Sequence, residues 1–497
     1  MKVTFVYVAS ESLAIEYLSS CLKAAGHKTH LSFDPGLFDD KQYLCTPFLA
    51  RMFDAKAKVV DDIISSAPDL VAFSVGTDNY IWALHIARAV KERREELPII
   101  FGGIHATAVP ERVLQNDGID MVCVGEGEEA IVELVNSLEK GQKDCRIENI
   151  WFKCNGKIIK NPPRNLIADL DTLPLPDKSL FEKHILMRNG KYMLMTSRGC
   201  PYTCTYCYND VLKHFYIGKG KFVRQRTVGN VLNELVAMKE QYYYTSVAFM
   251  DDLFLVNPRW FKEFIAEYKK AINVPYSCMT TTNVIDQDIG VLLKDSGCTR
   301  LQFGIQTMSI PSRNNVLRRS FEHSEDIERA LQICDRLGIS YSIDHLFGIP
   351  GEGEKDYKLT AEFFSLTNAD RICCYALFYY PKTSITESAK QKGILSDDDI
   401  EHIENGQGRL YIYGSSLKGE ELELFKSMRK FYALAPLMPK SIRKFVARKD
   451  LYAYFRFVPR WTAILSEIIA SLKSGHPRGN DYIKYYFYHI ARWMTGA

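Results

Sequence analysis

Cys200, Cys204 and Cys207 stand in the run Ser197-Arg198-Gly199-Cys200-Pro201-Tyr202-Thr203-Cys204-Thr205-Tyr206-Cys207, a C-x3-C-x2-C spacing. Three thiolates on one short loop can each take one iron of a 4Fe–4S cubane, which leaves the fourth iron without a protein ligand. An open iron can chelate the amino and carboxylate groups of a small molecule and pass an electron into it. A zinc knuckle would want a fourth Cys or His in a second nearby pair, and the nearest candidate, His214, stands alone. The other cysteines of the thirteen are scattered singly or sit in hydrophobic runs, as Cys123 and Cys278 do, and read as buried thiols.

The elements that must position this loop form two series of alternating strand and helix. In the first third, apolar runs at 3–8, 70–75, 99–101 and 121–124 alternate with helical stretches at 13–25, 80–93 and 130–138. That alternation implies right-handed crossovers and a parallel, doubly wound sheet, which binds ligands at the carboxyl ends of its strands. Turns of small residues fall at three of those ends: Ser74 to Thr77, Gly102-Gly103-Ile104-His105-Ala106-Thr107, and Gly125-Glu126-Gly127-Glu128. They would border one crevice. Residues 147–189 differ in texture: a hairpin signal at Asn155-Gly156 precedes Pro162, Pro163, Pro174 and Pro176, so the stretch reads as a linker.

Six further strand candidates, at 193–196, 246–250, 276–280, 300–304, 340–347 and 372–378, predict a partial or complete parallel barrel with its chemistry at the strand ends. The cysteine loop directly follows the first of them. Asp251 and Asp252 end the second, Gln306 the fourth, and Gly348-Ile349-Pro350-Gly351 follows the fifth. The aspartates can cap the helix that starts at Pro258 or accept from an ammonium. Beyond residue 396 the chain reads as mainly helical. The division is therefore 1–145, 146–189, 190–395 and 396–497, an α/β chain with a helical C-terminal region.

With 46% hydrophobic and 25% charged residues the composition is that of an ordinary globular protein, and a net charge of +3 gives no reason to expect a nucleic-acid partner. The cysteine content points to a reducing cytoplasm. No N-terminal signal is read, since residues 1–10 look like a buried strand, and the apolar stretch 464–472 is too short to span a membrane and carries Glu467. The segment 440–497 differs. Its Lys and Arg outnumber Asp450, Glu467 and Asp481, and it is rich in aromatics such as Tyr452, Phe455, Trp461 and Trp493. Such a segment can cap the barrel or meet a membrane surface or an amphipathic substrate.

On these residues the sequence resembles the radical S-adenosylmethionine superfamily, whose signature is C-x3-C-x-aromatic-C with Tyr206 as the aromatic. Over about residues 1–395 it is similar to the cobalamin (B12)-binding branch, the class B methyltransferase-like members. That resemblance rests on the turns at Gly102-Gly103 and Gly125-Glu126-Gly127-Glu128, the linker Asp169-Leu170-Asp171-Thr172-Leu173-Pro174, Met250-Asp251-Asp252, Gly304-Ile305-Gln306 and Gly348-Ile349-Pro350-Gly351-Glu352.

The resemblance implies a doubly wound cobalamin domain, a linker and a radical barrel. It makes Cys200, Cys204 and Cys207 the catalytic cluster ligands. It assigns S-adenosylmethionine to Tyr206, Asp251 or Asp252 (its ammonium), Gln306 and Ile349, with Arg318 or Arg319 suited to its carboxylate. Relatives carry Glu at Gln306; Gln can bond a ribose hydroxyl but cannot pair a cation. Cobalamin falls to Ser74, Thr77, Gly102, Gly103, His105, Gly125, Glu126 and Gly127.

No D-x-H-x-x-G pattern is present, so cobalt without a histidine ligand is implied. Ser10-Glu11-Ser12-Leu13-Ala14 replaces the Pro-x-Gly-Leu segment of relatives. The implied activity is methyl transfer to an unactivated carbon or phosphorus through a 5′-deoxyadenosyl radical and methylcobalamin. Cyclisation or ring contraction with the same cofactors is the alternative, and a corrinoid-binding sensor the non-enzymatic one, which the intact cysteine triad opposes. A methylthiotransferase would need a second cysteine triad before Cys200. The implied partners are a small-molecule or lipid-like substrate and an external one-electron reductant of flavodoxin or ferredoxin type.

Overall fold

In the first domain, β-branched and aromatic runs alternate between two buried faces. Val6, Val71 and Phe73 pack into one hydrophobic cluster, while Val3, Phe5, Leu70 and Ala72 pack into another on the opposite side. A strand apolar on both faces belongs in the middle of a parallel sheet covered on both sides. The computed structural model describes the chain except residues 40–45, 143, 155, 186–189, 409–412, 460, 463–464, 467, 470–477 and 496–497. Asn155, Glu467 and most of the 464–472 stretch therefore lie outside the described residues.

The first sheet runs β1 (Lys2–Val8), β2 (Lys28–Asp34), β3 (Leu70–Ser74), β4 (Ile99–Gly102), β5 (Met121–Cys123), β6 (Ile150–Cys154) and β7 (Lys157–Ile159). Its order is β2-β1-β3-β4-β5-β6-β7; the first five strands are parallel, and the β6–β7 hairpin is laid antiparallel on β5. The hairpin thus extends this sheet and does not stand apart in the linker.

The second sheet holds β8 (Lys191–Leu194), β11 (Ser246–Phe249), β12 (Tyr276–Thr280), β13 (Cys298–Gln306), β14 (Ser340–Phe347) and β15 (Arg371–Ala376), all parallel in that order. Among the described residues β8 and β15 do not pair with each other, so the barrel is partial. A short ribbon, β9 (Ser197–Arg198) with β10 (Arg224–Gln225), carries the cysteine loop. Helix Gly419–Leu434 seals the barrel core with Phe425, Met428 and Phe431. The last helix, Arg478–Thr495, leaves the barrel and docks on the first domain and linker: the Tyr485 hydroxyl donates to the Pro35 carbonyl at 2.9 Å, and Arg492 to the Lys183 carbonyl at 2.9 Å.

A buried charge cluster ties three segments together. Lys178, in the linker, is fully enclosed and pairs with Glu11 and Glu16 at 2.7 Å each, while its Nζ donates to the Met193 carbonyl of β8 at 2.8 Å. Nearby, Arg226 pairs with Glu234 at 2.6 Å and the Tyr192 hydroxyl donates to Glu234 at 2.7 Å.

Candidate active site

The cysteine loop begins with a turn only glycine makes easily. Gly199 has φ +85°, and a Cβ there would strike the Phe222 carbonyl oxygen at 2.5 Å. Thr205 pins the far side, its Oγ1 donating to the Val316 carbonyl at 2.7 Å and its own carbonyl accepting from Ile385 N at 3.0 Å. Cys207 caps helix Tyr208–Phe215. The three thiols lie near enough to feel one another's charge. Burial, with the Asp252 carboxylate and the neighbouring sulfurs, pushes Cys200 up to about 11 and Cys207 up to about 12, and burial raises Cys204 as well, against the Arg319 charge that lowers it.

Three such groups become thiolates together only beside compensating positive charge, which bound iron supplies. Among the described residues no three His, Cys, Asp or Glu side chains gather as they would on a single metal ion. A cubane can take one thiolate on each of three irons, and a C-x3-C-x2-C loop supplies three.

Among the described residues, two side chains reach the sulfurs. Asn209 Nδ2 lies 3.8 Å from Cys207 Sγ, and Arg319 Nη1 lies 3.6 Å from Cys204 Sγ and 3.3 Å from the Tyr206 hydroxyl. Arg319 is buried, bonded through Nη2 to Glu322 at 2.6 Å, and stacked over Phe321 at 5.0 Å. Arg318 is exposed. Of the two arginines read from sequence, the structure brings Arg319 to the cluster loop.

The aspartate pair divides in the same way. Asp251 is fully buried and its Oδ1 accepts from Thr196 N, Thr196 Oγ1 and Ser197 Oγ at 3.0, 2.8 and 2.5 Å, so it fastens the chain entering the cysteine loop. Asp252 opens onto a cleft, with surrounding protein still dense enough to raise its carboxyl above the usual range, against a bond from Asn209. Gln306 sits at φ +67°; its carbonyl accepts from His345 Nδ1 at 2.5 Å, and its side chain folds over Gly304, where a Cβ would meet Nε2 at 2.6 Å. Ile349 is buried with Leu317, Leu377 and Tyr379, in the cluster that Tyr206 also packs against.

The cleft, about 370 Å³, lies between the two domains. Ser74, Gly102, Gly103, Gly125, Glu126 and Gly127 form its wall on one side; Met195, Arg198, Gly199, Met250 and Asp252 face them. The three turns therefore do share a crevice, and it opens toward the cysteine loop. Gly103 (φ +91°) could not carry a side chain, since a Cβ would sit 2.8 Å from Val75 N and O.

Two of the residues read for this wall lie behind it. His105 is fully buried, its ring tilted against Tyr80 with centroids 4.3 Å apart, and its Nδ1 bonds Thr77 Oγ1 at 3.0 Å; burial pushes it down to about 4. Thr77 Oγ1 in turn bonds the Tyr208 hydroxyl at 2.5 Å, linking the turn to the helix after the cysteines.

Glu126 has a partner set that sequence reasoning missed. Arg224 donates to both its oxygens at 2.9 and 2.8 Å, Arg198 at 3.1 Å and Ile167 N at 3.0 Å, while Glu128 takes the other Arg198 nitrogen. Burial alone would raise the Glu126 carboxyl, but the bonds from Arg224 and the two guanidinium charges hold it below the usual range. This clamp joins the first domain to the ribbon that carries the cluster loop. Tyr216 completes it, its hydroxyl accepting from Glu126 N at 2.6 Å.

Comparison with known proteins agrees with this geometry. The family model for the B12 binding domain matches residues 4–135, and that for the radical SAM superfamily matches residues 194–364. The chain is 27% identical over 391 residues to an uncharacterised methyltransferase of Pyrococcus horikoshii, covering 77% of this chain and 79% of that one. It is 24% identical to the anaerobic magnesium-protoporphyrin IX monomethyl ester cyclase of Rubrivivax gelatinosus, covering 70% of this chain and 61% of that one. In fold it is similar to the radical S-adenosylmethionine methyltransferase TsrM of Kitasatospora setae, solved with cobalamin and a 4Fe–4S cluster, at TM-score 0.62 and 18% identity over 78% of this chain and 75% of that one.

Proposed function

This chain belongs to the cobalamin-binding radical S-adenosylmethionine enzymes, and we propose that it is a methyltransferase acting on an unactivated carbon or phosphorus centre of a small-molecule or lipid-like substrate. The observation that carries this reading is the shared cleft, which puts the three turns of the first domain opposite the cysteine loop. When bound, the cluster with S-adenosylmethionine supplies one-electron chemistry and cobalamin supplies a transferable methyl group.

The chain's own residues bind and orient these groups. Cys200, Cys204 and Cys207 hold the cluster in the proposal. Asp252 takes the ammonium of S-adenosylmethionine, while Asp251 positions the loop and Gln306 and Ile349 line the nucleoside side. Gly102, Gly103, Gly125 and Gly127 let backbone approach the corrin closely. With His105 turned away, the first domain offers cobalt no histidine from that turn. Glu126 contributes by closing the domains, which excludes water from the cleft. The work is divided among 1–145 for cobalamin, 190–395 for radical generation, and 396–497 as helical cover. The reading includes a cytoplasmic setting, an external flavodoxin- or ferredoxin-type reductant, and membrane contact through the basic, aromatic C-terminal region. Among the described residues no helix is long and apolar enough to cross a membrane.

The cyclase relative keeps one second reading open, rearrangement without methyl transfer. The ratio of by-products decides between them. Reconstituted enzyme is turned over anaerobically with deuterated-methyl S-adenosylmethionine and candidate substrates, with the Cys200→Ala/Cys204→Ala/Cys207→Ala variant as blank. Methyl transfer gives near-equal S-adenosylhomocysteine and 5′-deoxyadenosine with a labelled product. 5′-Deoxyadenosine alone would move the assignment to cyclisation or ring contraction.

A further inference from the structure

The membrane contact included in the proposed function gives no residues and no lipid; we infer that it is made by a ledge formed by residues 440–457 and Trp461 that docks on an anionic bilayer. Helix Lys440–Arg448 buries Arg443, Val446 and Ala447 against the protein and turns Ile442 and Phe445 outward, each at least half exposed. The short helix Leu451–Phe457 repeats the pattern: Tyr452 goes inward, while Tyr454 and Phe457 are 63% and 71% exposed, and Trp461 follows at 60%. The outward aromatics are interleaved with Lys440, Lys444, Arg448, Lys449 and Arg456, and the Arg456 guanidinium lies over the Phe457 ring at 4.8 Å. The acid in this span, Asp450, is engaged by Lys358 Nζ at 2.6 Å, so its charge is already met.

This pattern selects the occupant. Aromatic side chains with an apolar body settle at the boundary of headgroups and acyl chains, and lysine or arginine beside them is drawn to anionic lipid. A second copy would bring the same cations face to face, which opposes self-association. A protein partner would want an apolar centre depleted of charge, not one threaded with it. The other aromatic stretch of the tail contrasts: Tyr485, Tyr486 and His489 of the last helix are spent on the first domain and linker.

The inference rests on the proposed membrane contact, and its test separates the two. Full-length, cluster-loaded protein is floated with phosphatidylcholine vesicles and with vesicles that also contain phosphatidylglycerol, at low and high salt. Two surface variants are compared, Phe445→Ser/Phe457→Ser/Trp461→Ser and Arg448→Glu/Lys449→Glu, with Phe487→Ser on the last helix as control; all change exposed side chains, and circular dichroism and iron content verify folding. Flotation with the anionic vesicles only, weakened by salt and at least tenfold by either ledge variant but not by the control, is the expected result. Flotation that survives both ledge variants would keep the membrane contact and overturn the ledge. No flotation of the parent protein would overturn both. Loss in the ledge variants of a dimer, or of nucleic-acid binding, with no vesicle binding by the parent would assign the surface to that partner and overturn the inference. By-product ratios with soluble substrate stay the same in every arm, so the methyl-transfer reading stands or falls separately.

Discussion

Glu126→Gln tests whether the acidic turn of the first domain serves the ligand directly or holds the domains together. Each Glu126 oxygen accepts two N–H groups, Arg224 and Arg198 on Oε1, Arg224 and Ile167 on Oε2. Glutamine keeps one oxygen and turns an NH2 toward the other donors, so two bonds are lost, one or both from a guanidinium. Bonds with a charged partner contribute about 1.5–3 kcal/mol each, and removing one member of a buried ion pair costs about 3–5 kcal/mol. Side-chain exposures of 16% for Glu126 and 5% for Arg224 place the pair near the buried limit, but Glu128 still neutralises Arg198. The expected cost is about 3–4 kcal/mol, roughly two to three orders of magnitude in the docking equilibrium.

The loss should appear as separation of the domains before either unfolds. Urea unfolding followed through Trp82 and Trp151 of the first domain and Trp260 of the barrel should split into two transitions, and proteolysis within 160–185 should accelerate. In a double-mutant cycle with Arg224→Met the two losses should fall well short of additive. Because its carboxyl is held below the usual range, the clamp is present above that range and is lost only as pH falls through the lower folded value. A variant within about 0.5 kcal/mol of the parent, with unchanged proteolysis, would refute the clamp. Loss of cobalamin with the domains still docked would return Glu126 to direct ligand contact.

Three further outcomes are expected. Asp252→Asn should abolish S-adenosylmethionine binding, measured by equilibrium dialysis, and keep the fold, whereas Asp251→Asn should lower stability by about 2–3 kcal/mol through its bonds to Thr196 and Ser197. Arg319→Met should make the cluster harder to reduce, seen as a lower midpoint in an electron paramagnetic resonance titration at unchanged iron content, since a cation beside Cys204 Sγ favours the more negative state; an unchanged midpoint would make Arg319 purely structural. His105 and His345, both pushed down to about 4 by burial, stay neutral in the folded chain while the unfolded chain takes up protons near 6.5. Stability should therefore fall as pH drops from about 6.5 to about 4, by up to about 3 kcal/mol for each histidine, and chemical denaturation across that window should show less loss in His345→Gln.

The strands were legible where both faces are apolar. Residues 340–347 and 276–280 matched their elements, and the six barrel strands were all located, because buried parallel strands write continuous hydrophobic runs. The edge strand β2 was not, since Lys28-Thr29-His30 opens it with polar residues, exposed or half-buried at the sheet margin, that break the apolar run. Gly125 was read as room for a ligand, and it does line the cleft, but a Cβ there would also strike the Tyr216 hydroxyl, far along the chain. The roles of Arg198 and Arg224 were hidden for the same reason: a surface ion pair and a buried clamp use the same residue types, and only the fold brings them to Glu126. Arg198, lying inside the cysteine motif beside Gly199, was the one signal available.

The enclosed amine of Lys178 has a consequence for how the chain is made. Synthesis releases Glu11 and Glu16 from the ribosome long before Lys178, and Lys178 before Tyr192 and Met193, whose ring and carbonyl also meet its amine. Until then the two carboxylates stay hydrated on the nascent domain, so the face that will meet the barrel is negatively charged while it waits. A waiting surface of that kind resists the sticking that half-made chains with bare apolar faces suffer. Desolvation comes only when the amine arrives to meet it, so the order of translation and the order of assembly agree.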